Sequence, residues 1–173
     1  MTARRALITG ATKGIGYELA KCFARDGYDL VLVARDQAQL QRVAQELAGA
    51  HGISVRVIAK DLARPEAAAE LVEALTRERL EIDVLVNNAG FGMYGPFATA
   101  DLAREEEMIQ LNLVTLTQCN RPMIMSPLCP IELSPTIVVS PGGHDATGGS
   151  RDDGTRGEAA LRGAASPRAQ AAA

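Results

Sequence analysis

The run Ala6-Leu7-Ile8-Thr9-Gly10-Ala11-Thr12-Lys13-Gly14-Ile15-Gly16 limits the fold of this chain more than any other feature. An apolar run ends at Thr9-Gly10, glycines stand at positions 10, 14 and 16, and Ile15, Leu19, Cys22 and Phe23 then recur at helical spacing. The order is strand, glycine loop, helix. Glycines let the loop turn tightly and approach a ligand, and the helix beyond offers unpaired N–H groups and the positive end of its dipole. A glycine cluster without the preceding strand would signal no more than a turn.

The same alternation continues. Gly27 ends the first helix, and Asp29-Leu30-Val31-Leu32-Val33-Ala34 is a nearly continuous apolar strand, the pattern of a parallel sheet covered on both faces. Leu40, Val43, Ala44 and Leu47 form a second helical stripe, closed by Gly49 and Gly52. Ile53 to Ala59 reads as a third strand stopping at Lys60-Asp61. Pro65 then suits an early helical position ahead of the stripe Ala68, Leu71, Val72 and Leu75. Ile82 to Val86 is a fourth strand, ending in Asn87-Asn88-Ala89-Gly90. A long helix from about Asp101 carries Leu102, Met108, Ile109, Leu111 and Leu116 as apolar positions. Strict alternation with right-handed crossovers predicts an α/β fold, a Rossmann-type doubly wound parallel sheet.

Beyond this point the pattern fails. Pro122, Pro127, Pro130 and Pro135 crowd the next segment, and Thr136-Ile137-Val138-Val139-Ser140 reads as one more short strand. All six aromatic residues lie at or before Phe97, and 29 of the 33 residues from Pro141 on are Gly, Ala, Arg, Pro, Ser, Asp or Thr. Such a segment buries too little apolar surface to offset its ordering entropy. The expectation is therefore an α/β domain over 1–140 and a low-complexity, disordered tail over 141–173.

Charge and composition exclude several classes. Lys and Arg number 18 against 21 Asp and Glu, which provides no basic footprint for nucleic acid. No apolar run reaches a membrane span, and the apolar segment after Arg5 is too short for a signal peptide. Cys22, Cys119 and Cys129 lack metal-ligand or disulfide spacing, and a cytoplasmic chain with reduced thiols and no metal is the simplest reading.

The spacing G-x-x-x-G-x-G, with Asn87-Asn88-Ala89-Gly90 after the fourth strand, resembles the short-chain dehydrogenase/reductase family over residues 3 to 120, which implies that 1–140 is a partial NAD(P)-binding domain, incomplete at its C-terminal half. The resemblance implies that Gly10, Gly14 and Gly16, within the loop that includes Thr9, Thr12, Lys13 and Ile15, line the dinucleotide phosphates. It implies that Asp61, followed by Leu62, contacts the adenine, although Asp61 also suits an ordinary strand-end turn. Asn88 and the Ala89-Gly90 backbone would support the adenosine side. Asn112 matches the family's helix asparagine, which holds a structural water and so places a catalytic lysine; a solvated helix face is the other reading of that position. Members that use NAD carry an acid at the end of the second strand, where this chain has Ala34 followed by Arg35. Arg35 and Lys13 converging on a 2′-phosphate imply NADP(H), with Asp36 an opposing charge one step further on and a solvated Arg35 the alternative.

Family enzymes move a hydride between the nicotinamide and a carbonyl or alcohol carbon, using a tyrosine whose pKa is lowered by a lysine four residues on, and a serine. Tyr-x-x-x-Lys occurs once, as Tyr17-Glu18-Leu19-Ala20-Lys21 on the cofactor helix, the wrong place. No tyrosine follows Tyr94 and no lysine follows Lys60. Ser140 stands about where the family serine is expected, either as a remnant or as a chance turn residue, and Asp152-Asp153-Gly154 stand where the tyrosine would be. Tyr94 reads as substrate wall, and His51 and His144 have no ligand partner at useful spacing.

Three readings follow: an NADP-dependent oxidoreductase truncated or frame-changed after about residue 120, a non-catalytic nucleotide-binding or interaction module, or an unstable product with the fourth strand's edge uncovered. A carbonyl or alcohol substrate belongs to the first alone. In family members the helix around Asn112 is a dimer surface, which keeps a homo-oligomer among the expected partners.

Overall fold

The computed structural model describes residues 4–125 and 136–138. Strands Arg5–Thr9 (β1), Asp29–Ala34 (β2), Val55–Ala59 (β3), Val84–Asn87 (β4) and Thr136–Val138 (β5) form one sheet in the order β3-β2-β1-β4-β5. Every pairing is parallel, with Leu7 opposite Val31 and Leu85, and Val86 opposite Ile137. The helices are Gly14–Arg25 (α1), Gln37–His51 (α2), Ala67–Arg77 (α3) and Leu102–Ile109 (α4). The last continues through a π-helical turn, Gln110–Thr115, into Leu116–Met125 (α5).

Successive strand residues point to opposite faces, and both faces are covered. Ala6, Ile8, Leu30, Leu32, Val84 and Val86 pack with Phe23 of α1 and Leu40, Val43 and Leu47 of α2. Leu7, Val31, Val33 and Leu85 pack with Ala67, Ala68, Leu71 and Leu75 of α3 and with Cys119 of α5. Burial on both sides is why β1, β2 and β4 read as unbroken apolar runs. Among the strands whose burial is described, β3 departs from this. It is an edge strand with Arg56 and Ala59 exposed, and Arg56 is tied to Glu78 by an ion pair at 2.6 Å.

Several expectations shift. The structure corrects the expected open edge at the fourth strand, because β5 pairs along β4 from Leu85 to Asn87. The third strand begins at Val55 rather than Ile53, and α2 passes Gly49 to stop before Gly52. Pro65 precedes α3 by two residues. The final helix runs three residues past Pro122, whose fixed φ suits a helix even though it removes one donor. Ser140, His144, Cys129 and the segment 141–173 lie outside the described residues.

The connections after β1 and β2 lie on one face, and those after β3 and β4 on the other. The chain therefore reverses direction across the sheet between β1 and β4, and a crevice opens beyond their C-terminal ends.

Candidate functional site

At that crevice Thr9 ties β1 to β4. Its buried Oγ1 accepts from the N–H groups of Asn88 (3.0 Å) and Ala89 (2.9 Å) and donates to the Val86 carbonyl (3.3 Å). The Asn88 amide returns the link, donating to the carbonyls of Thr9 (3.0 Å) and Gly10 (3.2 Å). A side chain at position 10 would have its Cβ 2.8 Å from Asn88 Nδ2 on a backbone at φ +67°. At Gly16 a Cβ would collide with the Gly10 carbonyl oxygen and Asn88 Nδ2, so α1 rests directly on the loop. These two glycines are structural necessities of the Asn88 cross-link.

The N-terminus of α1 is left open to a ligand. Lys13 stands at its cap position with no side-chain cap, and its first turn contains no acid. Asp36 caps α2 by accepting from Gln39 N–H at 2.9 Å and Asp101 caps α4 by accepting from Ala103 N–H at 3.0 Å, while α3, like α1, has no side-chain cap but carries Glu70 in its first turn. Uncapped N–H groups at a helix start are an anion site.

A cavity of about 740 Å³ opens from this point. It is lined by Gly10, Thr12, Lys13, Gly14 and Ile15 from the loop, Arg35, Asp61 and Leu62 beyond β2 and β3, and Asn88, Ala89 and Gly90 beyond β4. Eleven of the site residues expected from sequence thus meet in one place. Thr9 and Gly16 stand behind it as support. Ser140 lies outside the described residues, and Asn112 does not line the cavity. The Asn112 amide is engaged at both ends by Phe91, accepting from its N–H (3.2 Å) and donating to its carbonyl (2.8 Å).

Charges sort themselves around the rim. Lys13 and Arg35 are exposed and make no ion pair with any described residue, whereas Lys60 is held by Glu70 at 2.6 Å. Glu70 also meets Arg64 at 3.2 Å, and the Lys60 contact chiefly holds its carboxyl below the ordinary range. Asp61 accepts from Ala63 N–H at 3.1 Å, closing a turn at the strand end, and also lines the cavity. Asp36 caps α2 and also lines the cavity beside Arg35, so its opposing charge stays at the rim.

Sequence reasoning missed Gln39, Lys60, Phe91, Arg104, Glu107 and Leu111, which also line the cavity. Adjacency to Asp61 and to Ala89-Gly90 was a usable signal for Lys60 and Phe91. Nothing in the sequence marked Arg104, whose guanidinium stacks 4.2 Å from the centre of the Phe91 ring and donates to Glu107 at 2.5 Å.

The Tyr17/Lys21 pair is occupied elsewhere. Tyr17 donates to Glu46 of α2 at 2.5 Å, which raises its phenol above the ordinary value, opposite to the need of a catalytic base. Lys21 is held by Glu18 at 3.0 Å. Tyr94, 76% exposed, stands on the loop after β4 and does not line the cavity. Among the described residues no three His, Cys, Asp or Glu converge as metal ligands, and no helix is long and apolar enough to cross a membrane.

An open doubly wound sheet with a glycine loop feeding an uncapped helix at its reversal point defines a Rossmann-type nucleotide-binding protein. Residues 4–126 match the family described as short chain dehydrogenase, and the chain belongs to that family. It is 33% identical over 108 residues to an uncharacterized oxidoreductase of Staphylococcus saprophyticus, covering 62% of this chain and 46% of that protein. A short-chain dehydrogenase from Sphingobium yanoikuyae, solved in complex with NADPH, is 41% identical with a TM-score of 0.64, covering 69% of this chain and 47% of that one. An alcohol dehydrogenase from the archaeon Thermococcus sibiricus, solved with 5-hydroxy-NADP, is 32% identical with a TM-score of 0.66, covering 71% and 52%. The chain therefore spans about half the length of these proteins.

Proposed function

We propose that this chain binds NADP(H) in the cavity beyond β1 and β4, and that residues 1–140 are the dinucleotide-binding part of a reductase or dehydrogenase. The observation that carries this reading is the pair of cations Lys13 and Arg35, which make no ion pair with any described residue, on the rim of a cavity that begins at the uncapped N-terminus of α1. The pyrophosphate would meet the α1 N–H groups, and a 2′-phosphate would meet Lys13 and Arg35. The adenine would lie by Asp61 and Leu62, with Asn88, Ala89 and Gly90 as the opposite wall. The NADPH and 5-hydroxy-NADP complexes of the two similar solved proteins support the same class of ligand.

When bound, the cofactor supplies a hydride to a carbonyl carbon or accepts one from an alcohol carbon. With no tyrosine after Tyr94 and no lysine after Lys60, this chain has no Tyr-x-x-x-Lys pair placed to move the accompanying proton. We therefore read the chain on its own as a nucleotide-binding module that does not turn over a ketone. Titration of purified chain with NADPH, followed by nicotinamide fluorescence and by heat, tests the binding. Saturable binding with NADPH preferred over NADH is expected, and its absence overturns the reading. Sustained NADPH oxidation with a ketone, lost on changing Tyr94 or Ser140, would falsify the non-catalytic part.

A further inference from the structure

The π-helical turn Gln110–Thr115 contributes Leu111 to the cavity wall and holds two of the loops that form it. Asn112 holds Phe91 on the β4 side, as described above. Thr115 holds the other side. Its Oγ1, on a residue only 2% exposed, donates to the Leu62 carbonyl at 2.9 Å and accepts from Gln110 Nε2 at 3.2 Å. Leu62 is itself buried and lines the cavity, and its N–H has no acceptor among the described residues. The residue that would present a backbone donor to a bound base is therefore fixed through its own carbonyl by one side chain from a distant helix. A π-turn widens the helix by one residue per hydrogen-bonded ring and is a place where side chains are re-aimed.

We propose that Thr115 is a positioning residue for base recognition: its hydroxyl fixes the Asp61–Leu62 corner so that the Asp61 carboxylate and the Leu62 N–H are set against the edge of a 6-aminopurine. This rests on the reading that the cavity holds NADP(H). Asp61 is an acceptor only, so it favours the amino group of adenine and disfavours the carbonyl oxygen of hypoxanthine at the same ring position. Gln110 donates to the Thr115 oxygen, which leaves the hydroxyl proton for Leu62.

The test compares NADPH with its hypoxanthine analogue on the full chain and on Thr115→Val and Thr115→Ser. Native protein is expected to prefer NADPH severalfold. Thr115→Val should weaken NADPH about tenfold and the analogue much less, so that the preference falls to near unity. Thr115→Ser, which keeps the hydroxyl, should restore both affinity and preference. Should Thr115→Val fail to fold, Gln110→Met serves in its place, with the preference expected to fall while Thr115 remains. Equal weakening of both ligands, an unchanged preference, or no rescue by serine overturns the proposal. Failure of the native chain to bind either ligand instead removes the nucleotide reading on which it rests.

Discussion

The Asn112 side chain clamps the Phe91 peptide unit from both sides, with Oδ1 accepting its N–H at 3.2 Å and Nδ2 donating to its carbonyl at 2.8 Å. The loop after β4 is held to the π-turn by this one amide. Replacing Asn112 by Leu keeps the volume and removes both bonds, leaving two partly buried backbone groups unsatisfied. A loss of roughly 1–3 kcal/mol is expected. Hydrogen exchange should quicken from Gly90 to Met93 while β1 and β2 stay protected. Uniform quickening across the sheet would argue against a local clamp.

The glycines of the loop are not equivalent. Gly16 has no room for a Cβ against the Gly10 carbonyl and Asn88, whereas at Gly14 nothing lies within 4 Å and only its φ of +58° resists substitution. Gly14→Ala should cost about 1–2 kcal/mol, the left-handed penalty alone. Gly16→Ala should cost clearly more, because the start of α1 must lift from the loop and part the Asn88 bonds. Urea midpoints of the two variants decide the order, and equal losses would contradict the packing at Gly16.

What could be read in the sequence, and what could not, divides along physical lines. The strand–loop–helix of residues 6–25, the β2 run and the Asn88 turn were legible because burial on two faces and the glycine contacts leave local signatures. Asp36 looked like a charge opposing Arg35. Its carboxylate also caps α2, a second role that only the helix start at Gln37 reveals, and it lines the cavity beside Arg35. Asn112 falls in the long helix that its apolar spacing marks, but its contact with Phe91 bridges 21 residues and leaves no local signature. Thr115 and Leu62 are 53 residues apart, and no pattern along the chain announces that bond. Arg104 stacks on Phe91 only because α4 passes the loop after β4.

Lys13 and Arg35 give a charge prediction. If both face a 2′-phosphate, Arg35→Ala should weaken NADPH about tenfold and leave NADH within about twofold, with Lys13→Ala acting in the same direction. The NADPH affinity of the native chain should also fall with added salt more steeply than that of the double variant. Parallel losses for NADPH and NADH would place the two cations at the pyrophosphate instead.

Acid should loosen the β3 edge. Glu70 and Glu78 are held below the ordinary carboxyl value of 4.5, first by their hydrogen bonds from Lys60 and Arg56 respectively. The folded chain therefore binds these protons less tightly than the unfolded chain does. The stabilisation is present above the ordinary value and is lost as pH falls through the lowered one. Both groups are solvent-accessible, so the effect is modest and salt-sensitive. The drop in urea midpoint between pH 6 and pH 3 should be smaller in the Glu70→Gln/Glu78→Gln variant than in the native chain. The same drop in both would show that other carboxylates govern acid stability.

Cys119 reports on the opposite side of the sheet. It is 2% exposed among Leu71, Leu85 and their neighbours, and burial pushes its thiol up to about 11. The thiolate is the reactive form, so at pH 8 the native thiol combines a small thiolate fraction with no access for reagent. Cys22, half-buried on α1, is within reach of reagent. Alkylation followed by peptide mapping should modify Cys22 readily and Cys119 only at the rate at which α5 opens from the sheet. Urea should remove the difference, and a ligand that stabilises the crevice should slow Cys119 further because the π-turn and α5 are one continuous helix. Equal labelling of the two in native buffer would mean that α5 is not seated on β4 in solution.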